Sequence, residues 1–320
     1  MNSICIIGAG EGGVNFIKEV RKLNSDISLK LIDKRDKYFK RKDVFSYWAS
    51  LSKLEVISLD GFCKEYSVEF IQAKVERINP NTKRIFLKDS PSIEFDTLII
   101  ASGLSSKDIS IKGDFKGGFY YLSDISPIEI KDYLKISSDI LIYTSTSLGL
   151  QLVLFLSLLQ KEIKLIADNL DFLGSYKERF YNLFKEKNID VYCGVSVEEI
   201  IGETLVKAVR ISLPKVFSSQ LVFVDSGFSP NRNFFDEEVT PRNVFFSPYR
   251  DIYFLGDVNS LNIDKEYFFI DNFKETQIQA VSLAKMLILD IPCDYTRHIA
   301  DASKKEKYLE QLLQTITLRP

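Results

Sequence analysis

The stretch Ile4-Cys5-Ile6-Ile7-Gly8-Ala9-Gly10-Glu11-Gly12-Gly13, followed by Asp33 at the end of the next apolar run, decides how this chain folds. An apolar run, a cluster of glycines and then apolar residues at helical spacing read as a buried strand, a tight turn and a helix start. Gly8, Gly10 and Gly13 stand at G-x-G-x-x-G spacing, and Asp33 lies 20 residues beyond Gly13. Each position has a physical reason. Gly8 permits the turn, Gly10 has no side chain to keep a pyrophosphate from the backbone, and Gly13 lets the helix pack closely on the strand. The helix start offers N–H groups and the positive end of a dipole to phosphates. Asp33 can accept hydrogen bonds from a ribose diol. Gly12, within the same turn, and Lys34, just after the acid, complete a candidate dinucleotide site.

Bulk properties narrow the rest. A length of 320 residues suggests about two domains. With 45% hydrophobic and 27% charged residues, the composition is that of an ordinary globular protein. The net charge of −2 gives no reason to expect a nucleic-acid partner. Met1-Asn2-Ser3 runs directly into the first strand without a basic n-region, so we expect no signal peptide. The longest apolar stretch, around Leu148–Leu159, is interrupted by Gln151 and Ser157 and is too short to span a bilayer, so we expect no integral membrane segment. Cysteines at 5, 63, 193 and 293 form neither a C-x-x-C nor a metal-ligand spacing, which points to a reduced, cytoplasmic protein without a metal site. The single histidine, His298, excludes a multi-histidine metal centre and argues against a serine–histidine nucleophile; it reads as a surface residue of the tail.

Strand and helix patterns alternate along the chain. A helix is expected from about Gly12 to Asn24, then a strand Ile27–Ile32 and a basic loop from Lys34 to Lys42. Strands follow at Glu55–Ser58 and Val68–Ile71, then a hairpin-like pair, Lys74–Ile78 with Lys83–Leu87, and the apolar strand Phe95–Ala101. A second βαβ unit begins at Asp139, with a helix over Leu148–Gln160, a strand Ile163–Ala167, a helix Ser175–Lys187 and a strand Asp190–Cys193. An antiparallel pair near Val195–Ile200 and Leu205–Ile211 leads to the strand Leu221–Val224. Two halves of such similar layout indicate an internal duplication.

Two later motifs sharpen the first. Thr97-Leu98-Ile99-Ile100-Ala101-Ser102-Gly103 is a strand closing in a small-residue turn, and Asp251-Ile252-Tyr253-Phe254-Leu255-Gly256-Asp257 is a strand closing in Gly-Asp. In this order after the glycine fingerprint, over roughly residues 3–290, the chain resembles the pyridine nucleotide-disulfide oxidoreductases, flavoproteins with two dinucleotide-binding domains. The likeness is greatest to ferredoxin or rubredoxin reductase-like and nitrite reductase-like members. The resemblance implies an α/β fold of two Rossmann-like, three-layer β/β/α domains. The NAD(P)-type domain is inserted in the FAD-type domain, and a short helical tail follows. It divides the chain into an FAD domain of 1–115 plus 245–290, an NAD(P)-like domain of 116–244 and a tail of 291–320.

By the same resemblance, FAD is the cofactor. Gly8, Gly10, Gly12 and Gly13 would meet its pyrophosphate, and Asp33 and Lys34 its adenosine ribose. Ala73 and Val75 would flank the adenine with their backbone. Ala101, Ser102 and Gly103 would close the domain, with Gly256 and Asp257 at the ribityl chain. The helix Phe273–Leu283 would turn its N-terminus to the flavin, placing the backbone N–H groups near Thr276 and Gln277 where they stabilise negative charge on the reduced ring.

The second fingerprint departs from the pattern. In Tyr143-Thr144-Ser145-Thr146-Ser147-Leu148-Gly149, threonines stand where the first two glycines belong and only Gly149 is kept. A β-branched residue there brings a methyl and a hydroxyl where a pyrophosphate must approach. The acid ending the next strand is replaced by Ala167, with Asp168 one residue on. Thr144, Thr146 and Gly149 still form a second candidate nucleotide site, because hydroxyls can bond a phosphate in an altered pose. Redox cysteines are missing beside the flavin: the loop Lys42–Tyr47 has none, and Cys5 sits in a core strand. Tyr38 and Phe39 are candidates for core or for contact with the ring system, Trp48 for packing, and Tyr120-Tyr121 for a gate.

The function expected is a flavoprotein oxidoreductase. It would pass electrons through FAD from NAD(P)H or another donor to a small-molecule or protein acceptor that the sequence does not identify. No residue stands out as a catalytic acid or base, and the oligomeric state is open. The competing reading is an accessory FAD-binding subunit whose second domain has lost nicotinamide and serves as a protein-interaction module.

Overall fold

The computed structural model describes residues 3–107, 109–123, 125–144, 146–242, 245–259, 269–292 and 302–317; Ser145, Cys293 and His298 lie outside them. The opening stretch forms the central strand of a five-stranded parallel sheet. Ser3–Ile7 lies between Ser28–Asp33 and Thr97–Ile100, with Glu69–Gln72 beyond the former and Ile252–Phe254 beyond the latter. A parallel sheet is covered on both faces, which is why these strands are apolar without alternation. Ile4 and Ile6 pack against Phe16, Ile17 and Val20 of the helix Glu11–Leu23 and against Ala280, Leu283 and Ala284 of the helix Phe269–Leu289. Cys5 and Ile7, on the opposite face, meet Ile78, Ile85 and Leu87 of the antiparallel layer Val75–Asn79, Arg84–Leu87, Ser90–Glu94.

The plan repeats. Asp139–Thr144 lies between Glu162–Ala167 and Leu221–Asp225 in a second five-stranded parallel sheet, with Ile189–Cys193 and Phe119–Tyr121 at its edges. Ile140 and Ile142 face the helices Ser147–Leu156 and Lys177–Glu186, whereas Leu141 and Tyr143 face a second antiparallel layer, Val197–Ile201, Ala208–Ile211, Val216–Ser218. The whole second sheet falls between Thr97–Ile100 and Ile252–Phe254, which are neighbours in the first, so the second Rossmann-like domain is inserted in the first. The two crossings of the chain, Leu104–Ser106 and Phe228–Pro230, pair with each other antiparallel.

Two elements differ from the sequence reading. Phe119–Tyr121 is a strand and Pro127–Ile136 a helix, neither of them signalled by a strong period. The tyrosines read as a gate are structural. Tyr120 stacks on Phe223 at 6.0 Å, and the Tyr121 hydroxyl donates to the Ile109 carbonyl. In the tail, the helix Ala302–Thr317 has no core of its own and inserts Tyr308, Leu309, Leu312 and Leu313 into the core of the second domain.

The short helix Val44–Trp48 belongs to the first half in sequence but packs into the second half's core. Trp48 is 1% exposed, lies 5.6 Å from Phe223, and its indole N–H donates to the Pro127 carbonyl at 2.8 Å. Lys131 bonds the Trp48 carbonyl at 3.1 Å and the Ser50 hydroxyl at 2.7 Å, fixing the end of the same helix. Truncating this anchor leaves a cavity between the two halves. Trp48→Ala should lower the stability to urea by about 3–5 kcal/mol. Far-UV circular dichroism is the readout, since Trp48 is the chain's only tryptophan; a loss under about 1 kcal/mol would contradict the placement.

Candidate functional site

The first glycine turn leaves Ile7 and bends at Gly8, whose φ of +104° suits glycine alone and whose N–H donates to the Ile32 carbonyl at 2.8 Å. Two of the glycines serve the protein's own packing. A Cβ on Gly8 would overlap the Ala101 carbonyl, and one on Gly13 would overlap the carbonyl of Gly8. Gly12 brings the helix against Leu255 and Thr276. Gly10 is different: a Cβ there meets nothing within 4 Å. It caps the helix Glu11–Leu23 from extended backbone, and no side chain caps that helix start. The turn therefore presents bare helix N–H groups to open space.

That space is an open cleft at the carboxyl ends of the first sheet. Gly8, Gly10, Gly12 and Asp33 border it from the first turn and second strand. Ala101, Ser102 and Gly103 border it from the crossing segment, and Gly256, Asp257 and Thr276 from the chain's return. Residues from four distant stretches of sequence thus converge on one place. Gly13 is shut beneath the helix instead, and Lys34 is exposed outside the cleft. Ala73 and Val75 do not border it; the Ala73 N–H donates to the Asp33 carbonyl at 3.0 Å, and Val75 is buried in the antiparallel layer.

One expectation needs correcting. The helix read as starting near Phe273 begins at Phe269, so Thr276 and Gln277 lie about two turns inside it. Their backbone N–H groups are beyond the four unpaired donors of a helix start and are committed to the helix ladder. The Thr276 side chain, not its N–H, reaches the cleft.

Sequence reasoning missed several cleft residues: Glu11, Arg35, Arg41, Leu104 and Leu255; the Lys34–Lys42 basic loop was the only signal for the two arginines, and Glu11 and Leu255 stood unremarked inside the quoted motifs. Tyr38, left open between core and ring contact, also borders the cleft. Asp33 is buried and accepts from Ala9 N–H at 2.6 Å, from Arg35 N–H at 2.9 Å and from the Arg35 guanidinium at 3.0 and 2.9 Å. Burial alone would push its carboxyl upward, but the Arg35 bonds and charge, with the two backbone N–H groups, outweigh this and hold it below the usual carboxylate range. Glu11 accepts from the Tyr38 hydroxyl, from Gln277 at 2.7 Å and from Asn15 at 3.0 Å, tying the first helix to the helix Phe269–Leu289 across the cleft floor. The cysteines offer no redox pair among the described residues. Burial pushes the Cys5 thiol up to about 12 and the Cys63 thiol up to about 11, and Cys193 is exposed with its sulfur 3.0 Å from the Tyr181 hydroxyl.

The second turn has the same backbone plan with different contents. Tyr143 pairs with Ile166 and Val224 as Ile7 pairs with Ile32 and Ile100. By this register Thr144 corresponds to Gly8, Thr146 to Gly10, Gly149 to Gly13, Ala167 to Asp33 and Asp225 to Ala101. The Asp225 carboxylate fills the turn. One oxygen accepts from the Thr144 hydroxyl at 2.9 Å, from the Thr146 hydroxyl and from the Gly149 N–H at 3.0 Å; the other accepts from the Gly227 N–H at 3.3 Å. Thr146 also caps the helix Ser147–Leu156 by accepting from the Leu148 N–H at 3.1 Å. Burial raises the Asp225 carboxyl, and its hydrogen bonds oppose that rise. Asp168, one residue past the strand, is exposed and accepts from the Tyr143 hydroxyl at 2.9 Å.

Comparison with known proteins agrees with this architecture. The chain is 33% identical over 103 residues to the sulfide-quinone reductase of Aquifex aeolicus, which covers 31% of this chain and 24% of that one. It is 21% identical over 239 residues to the nitric oxide reductase FlRd-NAD(+) reductase of Vibrio vulnificus, covering 71% of this chain and 62% of the relative. The chain thus spans less than two thirds of the length of either relative. The water-forming NADH oxidase from Lactobacillus brevis, solved bound to NADH, shares the fold with a TM-score of 0.77 at 15% identity, over 90% of this chain and 69% of that one. The family model for pyridine nucleotide-disulphide oxidoreductases matches residues 2–282, and the chain belongs to that family.

Proposed function

We propose that the first cleft holds FAD and that the protein is an oxidoreductase passing electrons through it to an acceptor presented at the cleft. FAD is the cofactor expected of the family, and the residues present suit it. The observation that carries the reading is Gly10: nothing in the chain needs a glycine there, whereas a pyrophosphate against the bare helix start does. On this reading Gly10 and Gly12 receive the pyrophosphate, Asp33 the adenosine ribose, and Asp257 the ribityl side. Ala73 would act on the adenine side from behind the cleft wall, through its N–H bond to the Asp33 carbonyl, and Val75 from the antiparallel layer. Bound there, FAD would supply acceptance of a hydride and release of electrons singly or in pairs. The chain's own part is to orient the ring, exclude water and set the charge around it. We keep the division into 1–115 plus 245–290, 116–244 and 291–320 as part of the proposal. An accessory subunit is the less favoured reading, since the first cleft keeps its open turn and its acid.

Gly10→Val tests the claim directly. Its backbone is extended and its surroundings open, so the variant should keep the wild-type circular dichroism and melt near the flavin-free wild type while losing bound FAD, read as the loss of yellow colour in the purified protein. A variant that retains flavin at the wild-type ratio would refute the pyrophosphate placement. The Arg35–Asp33 pair yields a second outcome. An acid held below its ordinary value adds stability above about pH 3.9, the unfolded value, and that stability is lost as pH falls through the folded value. Arg35→Ala removes most of the depression, so acid unfolding followed by circular dichroism should move to higher pH; an unmoved midpoint would show that the pair contributes nothing.

A further inference from the structure

We infer that the second dinucleotide turn is filled from within by the Asp225 carboxyl group, and that this excludes pyridine nucleotides from the protein. Electrons must then reach the first cleft from a donor of another chemical class. The last step rests on the FAD reading above; the exclusion does not.

A nucleotide pyrophosphate needs three things from such a turn: free N–H groups at a helix start, backbone it can touch, and access from solvent. None of them is met here. The Gly149 N–H is bonded to Asp225 and the Leu148 N–H to Thr146, whereas the matching helix start in the first domain has no side-chain cap. Where Gly10 leaves open space, Thr146 sends its hydroxyl to the Asp225 carboxylate, and Thr144 does the same from the position of Gly8. Thr144 is 0% exposed, Thr146 4%, Ser147 3% and Asp225 1%. A second element closes the turn, since Tyr308 of the helix Ala302–Thr317 is buried and shares a hydrogen bond with Ser147.

The substitutions form a matched set. A threonine in place of either glycine would only obstruct a phosphate, but two threonines facing an aspartate at the Ala101-equivalent position both bond one of its carboxyl oxygens. Gly149 is retained because a Cβ there would overlap Thr144 and reach 3.0 Å from the Asp225 carboxylate oxygen. The carboxyl oxygen therefore stands in for a phosphate oxygen at the helix start, and an incoming phosphate would meet a filled space and an N–H group already bonded. Loss of the ribose acid, with Ala167 at the place of Asp33, removes the other anchor a nucleotide would use.

The test is calorimetric titration of NADH and of NADPH, each to 1 mM, into the FAD-loaded protein. The same titration into Gly10→Val keeps the first cleft from contributing. No saturable binding is expected, and anaerobic addition of either nucleotide should leave the flavin spectrum unchanged while dithionite bleaches it. Saturable binding of either nucleotide by the wild type within that range overturns the proposal. Thr144→Gly/Thr146→Gly/Asp225→Ala should gain nucleotide affinity at least 10-fold over wild type; a variant with wild-type circular dichroism that gains none overturns the assignment of the exclusion to this set. Should the triple variant not fold, the wild-type titration still decides. Failure to take up FAD would sink the first-cleft reading alone, because the Gly10→Val titration requires no flavin.

Discussion

A helix that starts directly behind a buried strand leaves unpaired N–H groups and a positive dipole end inside the protein, and something must satisfy them. This molecule meets that demand twice on one backbone plan, in two ways. At Gly10 the helix start faces a cleft with no side chain over it. At Thr146 the helix start is filled by the chain's own carboxylate and hydroxyls. One turn is built to receive a phosphate from outside, and its twin is already occupied by a carboxyl group of the chain. The rest of the site follows from that difference. The open turn has its acid, Asp33, and a bordering arginine; the filled turn has Ala167 and a cap of helix from the tail.

The two halves are nevertheless one structure. Trp48 carries an aromatic anchor from the first half into the core of the second, and the paired crossings Leu104–Ser106 and Phe228–Pro230 bring the closing turns of both sheets together. Glu11 binds Tyr38 and Gln277 and so links the first helix to the helix that returns after the inserted domain. The cleft thereby draws its walls from segments that are adjacent only once the insertion has folded. Exclusion of a nucleotide from the second domain does not make that domain idle: its core holds the short helix behind the first cleft.

Much of this was legible in the sequence because it is written in local patterns. Buried parallel strands show as unbroken apolar runs, and the glycine spacing with Asp33 is confined to about one βαβ unit, so the duplication and the first turn could be read directly, whereas the insertion and the cleft residues Ala101, Ser102, Gly103, Gly256, Asp257 and Thr276 followed from the family resemblance. The erosion at Thr144 and Thr146 was visible too, but its meaning was not. Asp225 lies 81 residues from Thr144, and it reads as the end of an ordinary strand until the sheet register sets it beside the turn. Arg35 and Glu11 were hidden for another reason: charged residues in a basic loop or at a helix start have a solvated surface as their default, and only the fold turns them into the cleft. The helix containing Thr276 was misplaced by about one turn at its start. The strand Phe119–Tyr121 is too short to show a period, and its partner, Leu221–Asp225, lies a hundred residues away.

Native mass spectrometry of the protein in excess FAD, NADH and NADPH together tests the central asymmetry most directly, because it counts what each chain retains. One open turn and one filled turn predict a single mass increment per chain, that of FAD, with no species carrying a nicotinamide nucleotide. A chain carrying FAD and a nicotinamide nucleotide at once would show that the second turn is open and would contradict the account.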